Sequence, residues 1–335
     1  MRISNFITTV DTHTAGEPTR MVTSGLRIPG VTLLDKLNYL KERKDFLRKA
    51  LMGEPRGHRG MFGVYLTEPT HPKADYGIIF MDNDGYYNMC GHGTIGLCTA
   101  LAELSLVEVK EPITLITLES PAGLVEAAVH LKDGAVQGVS FRNVPSFLYG
   151  MDIPLDLPEI GKKIKVDISY GGNFFAIAKA EDLGLQVVPD QAEKLVQAGM
   201  AIRKGINAKI KVQHPVAEHI HSVHIVTIYS SPSNPSHTYR NIHVFGKGQF
   251  DRSPGGTGTS SMMAMYYGKG QLQADGEVVS EGVMGGIFRG KIVETVKVGK
   301  LDGIVPEVKG EAFLTGIHQF IIDPRDPMKH GFHIE

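Results

Sequence analysis

The sequence predicts a mixed α/β protein, rich in strands, that folds as two similar lobes. Three observations support this: short alternating apolar runs, a few segments with helical spacing, and a glycine-rich loop that occurs twice. The chain has 335 residues, 42% of them hydrophobic, enough to bury cores in two domains of ordinary size. Gly171 and Gly172 interrupt a strand pattern. We therefore expect lobes of residues 1–170 and 171–335, with the last residues packing back on the first lobe.

Runs of β-branched and alternating apolar residues predict strands, and apolar residues at helical spacing predict helices. The predicted strands include YGIIFM (76–81), ITLITLES (113–120), VHIVTIYS (223–230) and NIHVFG (241–246). The longer predicted helices are LLDKLNYLKERKDFLRKALMG (33–53), stopped by Gly53, and DQAEKLVQAGMAIRKGINAKI (190–210).

Charge and length limit the classes of partner. The 35 Lys and Arg nearly balance the 36 Asp and Glu, which argues against nucleic acid or an anionic membrane surface and favours a small molecule. No apolar run approaches the roughly 18 to 20 residues of a spanning helix, and the N-terminal segment lacks the pattern of a signal peptide. We expect a cytoplasmic protein without membrane segments.

Metal and disulfide sites are not expected. Cys90 and Cys98 are the only cysteines, too few for a disulfide framework and not spaced as a zinc site. His219 and His221 in EHIHSVHIV would share one face of a strand, but no further ligand pattern completes a metal site. A polar strand face is the expected reading of these histidines.

The glycine-rich loop PGGTGTS (254–260), the second loop, matches MCGHGTI (89–95), the first loop. Both have glycine at their third and fifth positions and threonine at the sixth, and a helical pattern follows each of them. A repeat about half a chain length apart indicates a duplicated lobe. Glycine turns that open helices present N–H groups at the positive end of the helix dipole, where an anion binds.

The anion is expected to be a small carboxylate. The loops lack the lysine of a P-loop, and neither matches a dinucleotide-binding GxGxxG with its following acidic residue. For one loop, an ordinary helix start would be an equally good interpretation, but the occurrence of two such loops weighs against it.

Cys90 stands directly before the first helical pattern, and helix N-termini favour the thiolate form of cysteine. It is therefore a candidate base. The alternative is an inert buried cysteine, which is the expected role of Cys98, placed on the apolar face of the helical pattern. In the second loop the position that matches Cys90 is Gly255, so a second acid or base is missing there.

Several motifs together resemble the proline racemase family, which includes hydroxyproline epimerases and trans-3-hydroxyproline dehydratases. They are MCGHGTIG, DRSPGGTGTS, DTHTAGEPTR, EPRGH, SPAGLV, YGGNFFA and DPMKHGF, and the resemblance runs from about residue 8 to the C-terminus. It implies a diaminopimelate-epimerase-like fold, in which two pseudo-symmetric lobes each wrap strands around a central helix and the substrate binds between them. It also implies a homodimer that uses no cofactor.

The resemblance also implies roles for individual residues. Cys90 matches the base, and the amides of Gly91, His92, Gly256 and Thr257 match the groups that bind the substrate carboxylate. Asp251 and the His92 side chain match contacts to the ring nitrogen, and Phe62 and Phe245 match the apolar walls around the ring. For Asp251 a surface ion pair with Arg252 is the alternative. For the motif residues His13, Glu17, Arg56 and His58, loop ordering is as good a role as a direct one.

Gly255 departs from the family pattern, because racemases have a second cysteine there and dehydratases a threonine. Abstraction of the Cα proton of proline or hydroxyproline by Cys90 is the predicted function, of the racemase or epimerase type. Inversion needs an acid on the opposite face, which Gly255 does not supply. A dehydratase that acts on trans-3-hydroxy-L-proline with one thiol is the alternative, since the α-hydrogen and the hydroxyl lie on the same ring face. A proline-binding protein without turnover, and a glycine introduced in place of a natural cysteine, are also consistent with the sequence.

Overall fold

The computed structural model describes residues 5–332. Within that range the elements follow one another as strands with few helices. The strands are β1 (Asn5–Thr14), β2 (Glu17–Ser24), β3 (Phe62–Thr67), β4 (Tyr76–Asp82), β5 (Tyr86–Tyr87), β6 (Ile113–Ser120), β7 (Gly123–Lys132), β8 (Ala135–Arg142), β9 (Ser146–Leu157), β10 (Lys162–Tyr170), β11 (Phe174–Lys179), β12 (Val223–Ser230), β13 (Tyr239–Phe245), β14 (Gln249–Asp251), β15 (Glu277–Gly282), β16 (Ile287–Val298), β17 (Leu301–Gly310) and β18 (Ala312–Ile322). The α-helices are α1 (Leu33–Tyr39), α2 (Asp45–Met52), α3 (Gly91–Glu103), α4 (Ala180–Leu183), α5 (Ala192–Lys209) and α6 (Gly256–Gly268).

The chain divides into two compact units. One comprises the described residues up to Ser140 together with those from Glu311 onward, and the other is Phe141–Gly310. The boundary therefore lies before the predicted one at residues 170 and 171. The physical reason is pairing: β9 pairs with β10 and with β17, so the segment before residue 171 belongs to the second unit. The closing residues lie in the first unit, where β18 pairs with β1.

In the first unit, strands surround α3. β1 pairs antiparallel with β18 and β2, β2 runs parallel to β3, and β3, β4, β6 and β7 continue the pairing. The residues of α3 from Gly91 to Ala102 are all buried, and the helix packs against β1, β2, β3, β7 and β18.

The second unit repeats this plan around α6. Its strands pair in the order β17, β9, β10, β11, β12, β13, β15 and β16, and β16 pairs with β17. The residues of α6 from Gly256 to Met265 are buried, and the helix packs against β9, β10, β11, β16 and β17. The predicted α/β fold, with strands wrapped around a central helix in each lobe, is confirmed.

The predicted secondary structure is confirmed in most segments, with two differences. The helix expected over 33–53 is interrupted by a π-helical turn at Leu40–Lys44. Leu40 in this turn is buried in one core cluster with Leu37 before it and with Leu47 and Leu51 after it. The strand face expected for His219 and His221 is wrong, because β12 begins only at Val223. Among residues 5–332, no helix is long and apolar enough to cross a bilayer.

Gly171, in the YGGNFFA motif, lies between β10 and β11 against the first turn of α6. A Cβ atom at this position would lie 2.3 Å from the carbonyl oxygen of Thr257 and 2.6 Å from the amide nitrogen of Ser261. Both contacts are to backbone, which cannot rotate away. The close approach of this turn to α6 therefore requires glycine.

We predict that Gly171→Ala lowers the free energy of unfolding by about 1–3 kcal/mol, the usual cost of overpacking a core. Urea denaturation measures it. The control is Gly85→Ala, because no described atom lies within 4 Å of a Cβ at that position, and we expect a change below about 0.5 kcal/mol there. Equal denaturation midpoints for the two variants would contradict the close approach.

Candidate active site

Cys90 is the N-cap residue of α3, with extended backbone (φ −144°, ψ 124°). Its Sγ accepts a hydrogen bond from the Gly93 N–H at 3.3 Å and lies 3.3 Å from Nδ1 of His92. The Thr94 amide and hydroxyl both donate to the Cys90 carbonyl oxygen, at 3.1 and 2.7 Å. The side chain is thereby fixed at the N-terminal, positive end of a buried helix.

The other side chains predicted near Cys90 lie in the same unit. Phe62, the first residue of β3, is buried, and its ring meets the His92 ring edge-on at 4.7 Å between centroids. On its other side Phe62 contacts the ring of Tyr87 at 5.6 Å, and the Tyr87 hydroxyl donates to Asp82 Oδ2 at 2.8 Å. The Phe62 ring thus packs against a tyrosine whose hydroxyl is held by a buried carboxyl group.

Two threonines of the DTHTAGEPTR motif contact α3. The Thr14 hydroxyl donates to the His92 carbonyl oxygen at 2.9 Å. A Cβ at Gly96 would lie 2.5 Å from Thr12 Oγ1. These contacts fix the position of the N-terminal part of α3, and with it the position of the Gly91 and His92 amides.

Asp11 and Arg20, two buried charged residues of the same motif, also help to hold this region in place. Arg20 forms a salt bridge to Asp11 at 2.8 Å and donates to the carbonyl oxygens of Leu51 and Arg56 at 2.7 and 2.6 Å. Arg56 itself forms an ion pair with Asp326 at 3.6 Å. Arg56 of EPRGH thus orders the loop and joins it to the closing DPMKHGF segment, which agrees with the loop-ordering interpretation.

The second loop has a different N-cap. Gly255 precedes α6 with a positive φ of 73° and ψ of 111°, which is a conformation that L side chains rarely adopt. Its N–H donates to Ser253 Oγ at 3.1 Å, and its carbonyl oxygen accepts from the Thr259 amide at 2.7 Å. Gly256 and Thr257 then form the first turn of a buried helix, as predicted.

Asp251 and Phe245 lie on one face of the β13–β14 pair. Asp251 is paired directly with His243, and Phe245 is two residues further along the same strand, so all three side chains project to the same side. Asp251 is only 6% exposed and accepts from the Ser253 amide at 2.8 Å. Asp251 is therefore buried and does not lie on the surface, and the Arg252 guanidinium lies over the ring of Phe250.

His243 was missed by the sequence reasoning. It is buried in β13, with Nε2 2.9 Å from the Pro254 carbonyl oxygen and Nδ1 2.9 Å from Thr227 Oγ1. The available signal was its position two residues before Phe245 in a predicted strand, which places both side chains on one face.

Cys98 is fully buried in α3, and burial raises the pKa of its thiol to about 12. This agrees with an inert core role. Over the described range 5–332, no group of three or more His, Cys, Asp and Glu side chains has the arrangement of a metal site.

The paired helix-opening loops, one with a thiol at its N-cap, define a two-lobed α/β protein of the racemase and epimerase type. The family model for proline racemase matches residues 9–333. The chain is 50% identical to the proline racemase of Acetoanaerobium sticklandii over 335 residues, which is 100% of both chains. It is 40% identical to the trans-3-hydroxy-L-proline dehydratase of Burkholderia ambifaria over 333 residues, 99% of each. The crystal structure of a hydroxyproline epimerase from Agrobacterium vitis with bound trans-4-hydroxy-L-proline has a TM-score of 0.94 and 32% identity, covering 100% of this chain and 97% of that one. The chain belongs to the proline racemase family.

The burial of Asp82, which accepts a hydrogen bond from Tyr87, can be tested through the pH dependence of stability. Burial raises the pKa of its carboxyl group from 3.8 to about 6, against the opposing hydrogen bonds from Gly85, Tyr87 and Asp84. The folded protein therefore binds a proton more tightly than the unfolded chain. The stabilisation is complete below about pH 4 and is lost as the pH rises through about 6.

We predict that the free energy of unfolding of the wild type, measured relative to Asp82→Asn, falls by about 1–3 kcal/mol between pH 4 and pH 7, at about 1.4 kcal/mol per pKa unit. Urea denaturation at a series of pH values measures the difference. The control is Asp275→Asn, an exposed carboxylate in the second unit, for which the difference should be flat. A constant difference for Asp82→Asn would show that its carboxyl group is not desolvated.

Proposed function

We propose that this protein removes the Cα proton of free proline or a hydroxyproline, with Cys90 as the base, in a reaction of the racemase or epimerase type. The observation that carries the proposal is the thiol at the N-cap of buried α3, where the Gly93 N–H donates to Sγ at 3.3 Å. The His92 ring, 3.3 Å from the same sulfur, can exchange a proton with it.

The substrate carboxylate is proposed to bind the first amides of the two central helices, those of Gly91, His92, Gly256 and Thr257. An α-helix leaves these N–H groups without acceptors inside the helix. As the Cα proton leaves, negative charge moves onto the carboxylate, and fixed amides in a buried site stabilise it most when it is largest. On this proposal the amides do the work that a cofactor performs in other amino-acid racemases, so no cofactor is required.

The substrate ring is proposed to lie against Phe62 and Phe245, with its nitrogen at Asp251 and the His92 side chain. The secondary amine of proline is cationic near neutral pH, and a buried carboxylate such as Asp251 would balance that charge. These contacts follow the family resemblance and the burial of the residues concerned. A homodimer and a cytoplasmic location stay predictions from the sequence.

A second candidate is dehydration of trans-3-hydroxy-L-proline. The observation that favours it is Gly255, which brings no side chain to the second loop, and a dehydratase needs only one thiol on one face of the ring. The trans-3-hydroxy-L-proline dehydratase of Burkholderia ambifaria, which is 40% identical to this chain, is a relative that carries this name. Formation of pyrroline-2-carboxylate from trans-3-hydroxy-L-proline, followed by its absorbance, supports this candidate, and its absence excludes it.

We predict that Cys90→Ser slows loss of the Cα hydrogen of proline or hydroxyproline in D₂O by at least about 100-fold, because a hydroxyl is a far weaker base than a thiolate and acid–base groups contribute about 10²–10⁴-fold. Proton NMR of the Cα–H signal measures the rate. The matched control is Cys98→Ala in the same helix, which should keep the rate within about threefold. Equal rates for wild type and Cys90→Ser would refute the assignment of the base, and a wild type that binds these acids without exchange would be a binding protein.

A further inference from the structure

The end of β15 packs directly on the chain that enters the second loop. A Cβ built at Gly282, the last residue of β15, would lie 2.9 Å from the Pro254 nitrogen and 2.9 Å from the Ser253 carbonyl carbon. The Ser280 hydroxyl, two residues earlier, donates to the Pro254 carbonyl oxygen at 3.4 Å, and His243 Nε2 lies 2.9 Å from the same oxygen. The peptide groups on both sides of Pro254 are thus held by residues of β15 and β13.

Gly282 is itself held from both sides by one arginine. Arg240 in β13 donates through Nη2 to the Val283 carbonyl oxygen at 2.7 Å, and its Nε lies 3.4 Å from Oε1 of Glu281 in an ion pair. Arg240 is also paired with Glu281 where β13 runs parallel to β15. One side chain therefore contacts the residues before and after the glycine that packs on the second loop.

Glu281 is a buried carboxylate, only 2% exposed, with donors from a third segment. The Ser233 amide donates to Oε2 at 3.0 Å, the Ser233 hydroxyl donates to Oε1, and His237 Nδ1 lies 3.1 Å from Oε2. Burial by itself would raise the pKa of Glu281, but the hydrogen bonds from Ser233 and His237 and the charge of Arg240 together lower it below its usual value. The carboxylate is therefore ionised at neutral pH and balances the charge of Arg240.

The start of α6 depends on contacts of this kind because its N-cap residue has no side chain. At the start of α3 the Cys90 side chain accepts a hydrogen bond from the Gly93 N–H, whereas Gly255 offers no such acceptor to the first turn of α6. The path of the chain at Gly255 is therefore set by the residues before it and by what packs on them. The amides of Gly256 and Thr257 follow within two residues.

We propose that Glu281 and Arg240 are positioning residues for the amides of Gly256 and Thr257, and that they act through the contact of Gly282 with the second loop. The proposal rests on the proposed function, because these amides matter to the reaction only if they bind the substrate carboxylate. The ion pair keeps Gly282 against the chain before α6, and this contact keeps the first turn of α6 in place. The proposal requires no contact of either charged residue with the substrate.

The variant Glu281→Gln tests this, because glutamine has nearly the same size but leaves Arg240 without its ionic partner. Exchange of the Cα hydrogen of L-proline in D₂O, followed by proton NMR over a range of proline concentrations, gives kcat and KM. We expect KM to rise at least about tenfold and kcat to fall with it, since a misplacement of about 1 Å can cost about 100-fold. A merely structural role would reduce the amount of folded enzyme, which lowers the apparent kcat and leaves KM unchanged.

The matched control is Glu294→Gln, which removes an exposed glutamate that pairs with Arg142 in the same unit. Both kinetic parameters of this variant should stay within about threefold of wild type. A KM of Glu281→Gln within about threefold of wild type, whatever the value of kcat, would overturn the proposal.

Gly282→Ala tests the contact itself and keeps the proposal falsifiable if Glu281→Gln does not fold. Gly282 does not have a positive φ, so the added methyl group changes the contact with Ser253 and Pro254 and not the allowed backbone conformation. KM should again rise at least about tenfold. Gly85→Ala, where no atom lies within 4 Å of the added Cβ, should match the wild type, and a wild-type KM for Gly282→Ala would overturn the proposal.

Titration calorimetry with L-proline separates failure of this inference from failure of the proposed function. A wild type that binds proline without exchanging its Cα hydrogen overturns the proposed function. The inference is then decided by the dissociation constant, which should still rise at least about tenfold in Glu281→Gln and Gly282→Ala. Equal dissociation constants in the wild type and the two variants overturn the inference, even if the wild type exchanges the Cα hydrogen normally.

Discussion

The structure depends on the burial of the N-terminal ends of two central helices. The first turns of α3 and α6 lie inside their lobes, so their leading amides are removed from bulk water. Buried N–H groups cost free energy unless an acceptor reaches them. On the proposed function that acceptor is the substrate carboxylate, and the residues packed around the two helices hold their first turns in place.

Different contacts hold the central helix in place in each lobe. In the first, the hairpin of β1 and β2 reaches α3 through Thr12 and Thr14, and the Asp11–Arg20 salt bridge fixes that hairpin. In the second, the turn at Gly171 packs directly on the backbone of α6. Truncating a group in either support would be expected to displace the first turn of the helix that it contacts.

The sequence was sufficient to predict the helix starts, which depend only on neighbouring residues. The glycine pattern at Gly91 and Gly256 marked both helix starts, because such turns are built from neighbouring residues. The lobe boundary was misplaced because β9 pairs with β17, more than a hundred residues away, and β10 pairs with β9, which assigns both strands to the second unit. The contact of His243 with the second loop was missed for the same reason, because only the folded chain brings β13 next to the N-cap of α6.

The two N-caps differ in residue and in backbone conformation, although each precedes the central helix of its lobe. With Cys90 the backbone is extended and the side chain carries the reactive atom. With Gly255 the backbone turns to positive φ, which L side chains resist, and the volume left over is taken by His243. In this backbone conformation a side chain at 255 and the ring at 243 cannot share that volume. The space beside Gly255 is filled by the His243 ring, which is held there by the Pro254 carbonyl oxygen and the Thr227 hydroxyl.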